Sequence, residues 1–175
     1  VEEVDQKFID AAKSASAKVS EAFDSALARG DVTIESLFDT NYRQVPNTDP
    51  IQHVTSFVEL CDRVLPPIQE PVLSIDPRVV FCATVDRNGY LPTHNRQFSH
   101  PQRADDLVWN AANCRNRRIF NDRAGLSAAR TIRAHLLQTY DREMGDGTII
   151  TLKEVDVSVK VRDRHWGAVR LAFRA

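Results

Sequence analysis

Cysteine is scarce in this sequence, and the three that occur lie far apart. Cys61, Cys82 and Cys114 form no CxxC pair, which excludes a zinc ribbon and a thioredoxin-type redox motif, and no CxxCH sequence is present for covalent haem. Cys61 and Cys82 have apolar neighbours and are expected to be small buried residues, whereas Cys114 lies in a polar run. The odd number leaves at least one thiol unpaired.

Other chemical signals are missing as well. The chain has 23 basic and 24 acidic residues and a formal net charge of -1, so it lacks the positive field typical of nucleic-acid binding. No apolar run approaches the roughly 18 residues of a membrane-spanning helix. The motifs GxSxG and HExxH and a glycine-rich phosphate loop are absent, and the five histidines are scattered. We therefore predict no catalytic residues, no metal site and no cofactor.

Residues 1–30 have the period of a long amphipathic helix. Apolar residues recur every three or four positions, charged and hydroxyl residues fill the other face, and Gly30 provides a C-cap. The apolar positions are Val4, Phe8, Ala11, Ala15, Val19, Ala22, Phe23 and Ala26. This face could equally pack on its own domain or, given its small alanines and near-heptad steps, against the same helix of a second copy.

The next segment, residues 31–76, is predicted to be helical and loop structure. A short helix at 31–38 is followed by a loop of turn-forming residues. We expect a second helix to begin at Asp49-Pro50 and to end at Pro66-Pro67.

Residues 77–175 change to strand patterns. A hairpin is predicted around Arg87-Asn88-Gly89, and the segments AHLLQTYDRE, TIITLKEVDVSVKVRD and HWGAVRLAFRA predict further strands, the first two joined by the turn MGDG. Residues 96–134 form an insertion with short helical pieces. The prediction for residues 1–175 is therefore one α+β domain, in which two helices pack on a five-stranded antiparallel sheet and the insertion covers the other face above a pocket.

The return strand of the hairpin is rich in polar groups, which predicts that it faces the pocket. Strand alternation allows either Tyr90 with His94, or Leu91 with Thr93 and Asn95, to point inward, unless Pro92 disturbs the period.

Two further groups could complete the pocket. Arg118 precedes the apolar pair Ile119-Phe120 and is the arginine that we expect to bind a carboxylate, whereas Arg115 is expected in a solvated basic loop. Trp109 and Tyr140 are candidate pocket walls, and ordinary core aromatics are an equal alternative.

The segments DRNGYLPTHN, RNRRIFND, LLQTYDREMGDG and RHWGAVRLAF together resemble the extracytoplasmic sensor domains of bacterial methyl-accepting chemotaxis proteins, of the single-Cache, PAS-like type. The resemblance runs from about Leu37 to the end of the chain. In such domains the ligand lies between the sheet and the insertion, which implies binding roles for Tyr90, Thr93, His94, Asn95, Arg118, Gln138 and Tyr140.

The resemblance also implies a place in the cell. The first helix would continue a transmembrane segment, and the last strand would lead to a second one, so that the domain lies in the periplasm as part of an inner-membrane receptor. It would bind a small molecule, for which we expect a small carboxylate, and form a homodimer through the first helix. The alternative is a redox or haem/gas-sensing domain of a receptor, sensor kinase or cyclase.

Overall fold

The computed structural model describes residues 3–143 and 146–175, and its longest element is helix α1 (Glu3–Arg29). The helix ends at Gly30, whose φ of 76° is a left-handed conformation that glycine adopts without steric cost. The predicted first helix is confirmed. The side chain of Val4, and Met144 and Gly145 of the predicted turn, lie outside the described residues. None of the helices in the described ranges is long and apolar enough to cross a membrane.

The segment after α1 differs from its prediction. Its elements are α2 (Ile34–Leu37), β1 (Arg43–Gln44), β2 (His53–Val54), α3 (Val58–Val64), α4 (Pro66–Gln69) and a 3-10 turn at Glu70–Ser74. The predicted helix start at Asp49-Pro50 is wrong, because this stretch forms a small sheet instead, and the His53 N–H donates to the Arg117 carbonyl at 2.6 Å. Pro66 and Pro67 begin α4 rather than ending the helical region, since proline is tolerated in the first turn of a helix.

Six strands follow: β3 (Val79–Asp86), β4 (Tyr90–Leu91), β5 (Arg118–Ile119), β6 (Leu136–Glu143), β7 (Ile149–Val161) and β8 (Arg164–Arg174). The main sheet is antiparallel with the order β3-β8-β7-β6, so the predicted five-stranded sheet is corrected to four strands. The strand β4 pairs with β5 in a separate two-stranded ladder. Close pairing of β3 and β8 requires Gly167, because a Cβ at that position would lie 1.9 Å from the Val85 carbonyl oxygen.

A side chain takes the place of the missing fifth strand. The predicted turn after β3 is present, and the Asp86 carboxylate accepts the Tyr90 N–H at 3.0 Å. Beyond it, Asn95 Oδ1 accepts the Cys82 N–H at 3.0 Å, and Asn95 Nδ2 donates to the Cys82 carbonyl at 2.9 Å. The amide thus satisfies both backbone groups of an edge residue of β3, as a neighbouring strand would.

The apolar face of α1 packs on its own sheet, against β7 and β8. Phe8 stacks on Phe173 with ring centroids 3.8 Å apart, and Phe23 meets Trp166 edge-on at 4.9 Å. Of the two alternatives for this face, the structure shows intramolecular packing. A homodimer through α1 remains a prediction, and it would have to use the exposed side of the helix.

The insertion covers the outer face of the main sheet, which is the face opposite α1. It contains α5 (Leu107–Asn113), β5 and α6 (Arg123–Arg130), and α6 packs on β8. Ala129 of α6 is fully buried there with Val85 and Ala168. The space between the outer face and the insertion is not fully occupied by protein, and the candidate site lies in it.

Candidate functional site

A cavity of about 250 Å³ lies between the outer face of the main sheet and the insertion, and we call it the arginine cavity. Its lining residues come from β3, β4 and the segment that follows β4, from β6 and β8, and from the insertion: Phe81, Leu91, His94, Arg115, Phe120, Asp122, Ala124, Tyr140, Asp141, Arg142, Glu143 and Arg170. Tyr140 and Arg142 lie two residues apart on β6, so strand alternation places both on the same face.

Four arginines form a group that we call the arginine cluster: Arg115, Arg142 and Arg170 line this cavity, and Arg118 lies close enough to Arg115 to affect its charge. Arg170 is held by Glu154, with Nε to Oε2 at 2.8 Å and Nη2 to Oε1 at 3.0 Å. Within residues 3–143 and 146–175, Glu154 is the sole carboxylate in ion-pair contact with any member of the cluster. Asp122, Asp141 and Glu143 also line the cavity, but among the described residues none of them forms an ion pair with these arginines.

Arg142 is the member of the arginine cluster with a buried N–H group that lacks a partner among the described residues. Its guanidinium carbon lies 5.6 Å from the ring centre of Phe81 and 5.5 Å from that of Phe98. Its Nη1 is buried and has no hydrogen-bond partner among the described residues. A buried N–H group without an acceptor costs desolvation free energy, which an acceptor on a ligand would recover.

The pKa values of three arginines of the cluster, Arg115, Arg118 and Arg142, are lower than that of a free arginine. Burial, followed by repulsion from Arg142, Arg118 and Arg170, lowers the pKa of Arg115 to about 9. Burial is also the largest cause that lowers the pKa of Arg118 and of Arg142. An anion in the cavity would oppose both effects, because it replaces lost hydration and screens the like charges.

His94 supplies a neutral donor to the same cavity. Its side chain is buried, and the residue is 4% exposed. Nδ1 accepts the Asn95 N–H at 2.7 Å, so the neutral ring carries its proton on Nε2. Burial, and then the charges of the arginine cluster, lower the pKa of His94 well below 6.5. The imidazole is therefore uncharged at neutral pH and can donate one hydrogen bond.

Two buried carboxyl groups lie beneath the cavity on β7. Burial alone raises the pKa of Glu154, but the contact with Arg170 and the hydrogen bond donated by Tyr140 at 2.6 Å bring it below its usual value. Burial and repulsion from Glu154 raise the pKa of Asp156 well above its usual value. The floor thus holds one charged carboxylate and one carboxyl group that favours its neutral form, and it does not neutralise the other three arginines.

The structure separates the predicted residues of the return segment. His94 and Tyr140 line the arginine cavity, but Tyr90, Thr93 and Asn95 do not. The Tyr90 hydroxyl donates to the His53 carbonyl at 2.7 Å within the core on the α1 side. The Thr93 hydroxyl donates to Asp62 at 2.6 Å, and Asn95 binds the β3 backbone. These three polar groups have partners within the fold.

The other predicted residues do not line the cavity. Arg118 donates to the Ala111 carbonyl at 3.2 Å and belongs to the arginine cluster. Gln138 Nε2 donates to Asp156 at 2.7 Å and to the Ala124 carbonyl of α6 at 3.1 Å, so it links the sheet to the insertion. Trp109 lies under the Arg103 guanidinium at 3.7 Å, away from the cavity.

Sequence reasoning missed three of the cavity's arginines. The sequence predicts Arg115 in a solvated loop, yet it lines the cavity, and the predicted site residues include neither Arg142 nor Arg170. A signal existed for Arg170, because it interrupts the apolar run AVRLAF on a central strand, where a charge needs a buried partner. Glu154 and Asp156 interrupt the preceding strand in the same way, at the two-residue spacing of a single sheet face.

The cysteines and the possible metal ligands form no redox or metal site among the described residues. All three cysteines are free and buried. No group of three or more histidine, cysteine, aspartate or glutamate side chains suitable for a metal ion occurs in the part of the chain that the structure describes.

Comparison of the chain with protein-family models, with curated proteins and with solved structures finds no significant match.

Proposed function

We propose that this chain is the ligand-binding sensor domain of a bacterial chemoreceptor, and that its ligand is a small organic acid held through its carboxylate by the arginine cluster. The observation that carries the proposal is the convergence of three guanidinium groups, those of Arg115, Arg142 and Arg170, on one cavity, where only Arg170 has an ion-pair partner among the described residues. The unpartnered buried N–H of Arg142 costs free energy in the ligand-free protein, and the carboxylate of a ligand would satisfy it.

The cavity suits such a ligand in size and in chemistry. At roughly 30 Å³ for a water-sized group, 250 Å³ accommodates on the order of eight non-hydrogen atoms. A guanidinium can donate two parallel hydrogen bonds to a carboxylate, and each charge-assisted bond contributes about 1.5–3 kcal/mol. Phe81, Leu91 and Phe120 provide apolar contact for the carbon atoms of the acid.

The position of the cavity supports a role in signalling. Its arginines come from three separate elements, namely the insertion (Arg115), β6 (Arg142) and β8 (Arg170), so one anion would draw all three together. The strand β8 also packs against α1 on the other side of the sheet. Because the resemblance to chemoreceptor domains assigns the membrane connections to α1 and to the last strand, a small shift of β8 is a direct route from ligand to membrane. Periplasmic location and dimerisation are parts of the same proposal.

A thermal-shift screen of small carboxylates, followed by calorimetric titration, tests the proposal. An acid at about 100 times its dissociation constant should add about 2.7 kcal/mol to the free energy of unfolding. Arg142→Met keeps the apolar stem between the two phenylalanines and removes the unpartnered donor, and it should weaken binding at least tenfold. The matched control is Arg96→Met, whose side chain is 82% exposed and should leave affinity unchanged. If no acid stabilises the protein, or if Arg142→Met binds as tightly as the wild type, the proposal is wrong.

A further inference from the structure

A second cavity of about 550 Å³ adjoins the arginine cavity, and we call it the α5 cavity. The two share three lining residues, Arg115, Arg142 and Glu143. The remaining lining residues of the α5 cavity are Phe98, Val108, Ala111, Ala112 and Asn113. A ligand that contacts the two shared arginines can therefore reach both spaces.

Charge is distributed unevenly between the two cavities. Arg170, Asp122 and Asp141 line the arginine cavity alone, whereas all the unshared side chains of the α5 cavity are uncharged and four of the five are apolar. Val108 is 66% exposed, which leaves apolar surface for a ligand to cover. Glu143 lines the junction and would repel a second negative charge placed in the α5 cavity.

We infer that the ligand is a carboxylic acid with one anionic head and an uncharged, largely apolar tail, the head lying in the arginine cavity and the tail in the α5 cavity. This inference rests on the proposed function and specifies its ligand class. It separates acids of medium chain length from acetate-sized acids, which would occupy only part of the arginine cavity. It also separates them from dicarboxylates, which would bring a second charge towards Glu143.

A series of linear acids tests the inference by calorimetric titration into the wild-type protein: acetate, butyrate, hexanoate and octanoate. Each methylene group that enters the α5 cavity should lower the dissociation constant about two- to fourfold, as expected for buried apolar carbon. Adipate, which is hexanoate with a second carboxylate, should bind more weakly than hexanoate. An affinity that does not change along the series, or a preference for adipate, would overturn the inference.

Two variants locate the tail. Ala112→Phe fills the α5 cavity from α5 and should remove the gain with chain length while acetate binds as before. Ala112→Ser is the matched control, because it leaves the space open and should keep the gain. If Ala112→Phe proves unstable, Val108→Asn replaces it in the test. This variant changes an exposed position without a folding role, and it should reduce the gain with chain length. A gain that persists in both Ala112→Phe and Val108→Asn would overturn the tail's placement. Failure of every acid to bind the wild type would instead overturn the proposed function itself.

Discussion

Asn95→Ala provides a quantitative test of how the edge of β3 is stabilised. The substitution removes three hydrogen bonds: two to the backbone of Cys82, at 3.0 and 2.9 Å, and one to Glu70 at 2.7 Å. Cys82 is fully buried, so water cannot replace the lost partners of its N–H and carbonyl groups. An unsatisfied buried polar group costs about 1–3 kcal/mol, and two such groups give a destabilisation of roughly 3 kcal/mol. For a chain of this size that corresponds to a decrease in Tm of about 6–12 °C.

Equilibrium unfolding in urea, with thermal unfolding beside it, measures this effect. Gln97→Ala is the matched control on the same edge, because its bond to the Val80 carbonyl is long at 3.5 Å and should contribute less than about 1 kcal/mol. Folded Asn95→Ala should bind carboxylates normally, since Asn95 does not line the arginine cavity. A variant with wild-type stability and weakened binding would refute the structural role and return Asn95 to the ligand site.

Three further predictions concern the buried titratable groups. The pKa of His94 in the folded protein lies well below 6.5, so the unfolded chain takes up a proton first as the pH falls. The free energy of unfolding should therefore decrease below about pH 6.5 by at most about 1.4 kcal/mol per pH unit. In urea unfolding, His94→Gln should lose less stability than the wild type between pH 7.5 and 5.5. The folded-state pKa of Asp156 is raised, so the contribution of this group to wild-type stability falls as the pH rises above the usual aspartate pKa. The stability of Asp156→Asn relative to the wild type should therefore increase from pH 4 to pH 7.5, and a relative decrease would contradict the assignment of a neutral acid. Glu154→Gln leaves Arg170 buried without its carboxylate and should cost about 3–5 kcal/mol, while calorimetry should show tighter binding of carboxylates because the cavity becomes more positive.

Local patterns were enough to predict much of the fold. The period of α1, its end at Gly30 and the strands β6, β7 and β8 follow from the spacing of apolar residues. The number of strands in the main sheet did not follow, because a turn signal at Arg87–Gly89 does not reveal whether the returning segment bonds to β3 through its backbone or through a side chain. Asn95 bonds through its side chain, and this choice depends on contacts between segments rather than on local sequence.

The site was harder to predict than the fold. The polar run after the turn was interpreted as a ligand-binding strand, yet Tyr90 and Thr93 have partners in the segment 53–62, which is distant in sequence. The arginine cluster joins three elements, and the order of the strands in the sheet, rather than any motif, brings Arg142 and Arg170 together. Only the unusual charges within the apolar strands indicated that the outer face holds a polar site.

The most direct test of the central claim, that this cavity recognises negative charge, compares an acid with its neutral isostere. Calorimetric titration of the protein with the tightest-binding carboxylate of the screen and with the corresponding primary amide changes the charge while nearly preserving the shape. The amide should bind at least tenfold more weakly than the acid, and Arg142→Met should reduce this difference. Equal affinity for the acid and the amide would show that the cavity does not recognise negative charge.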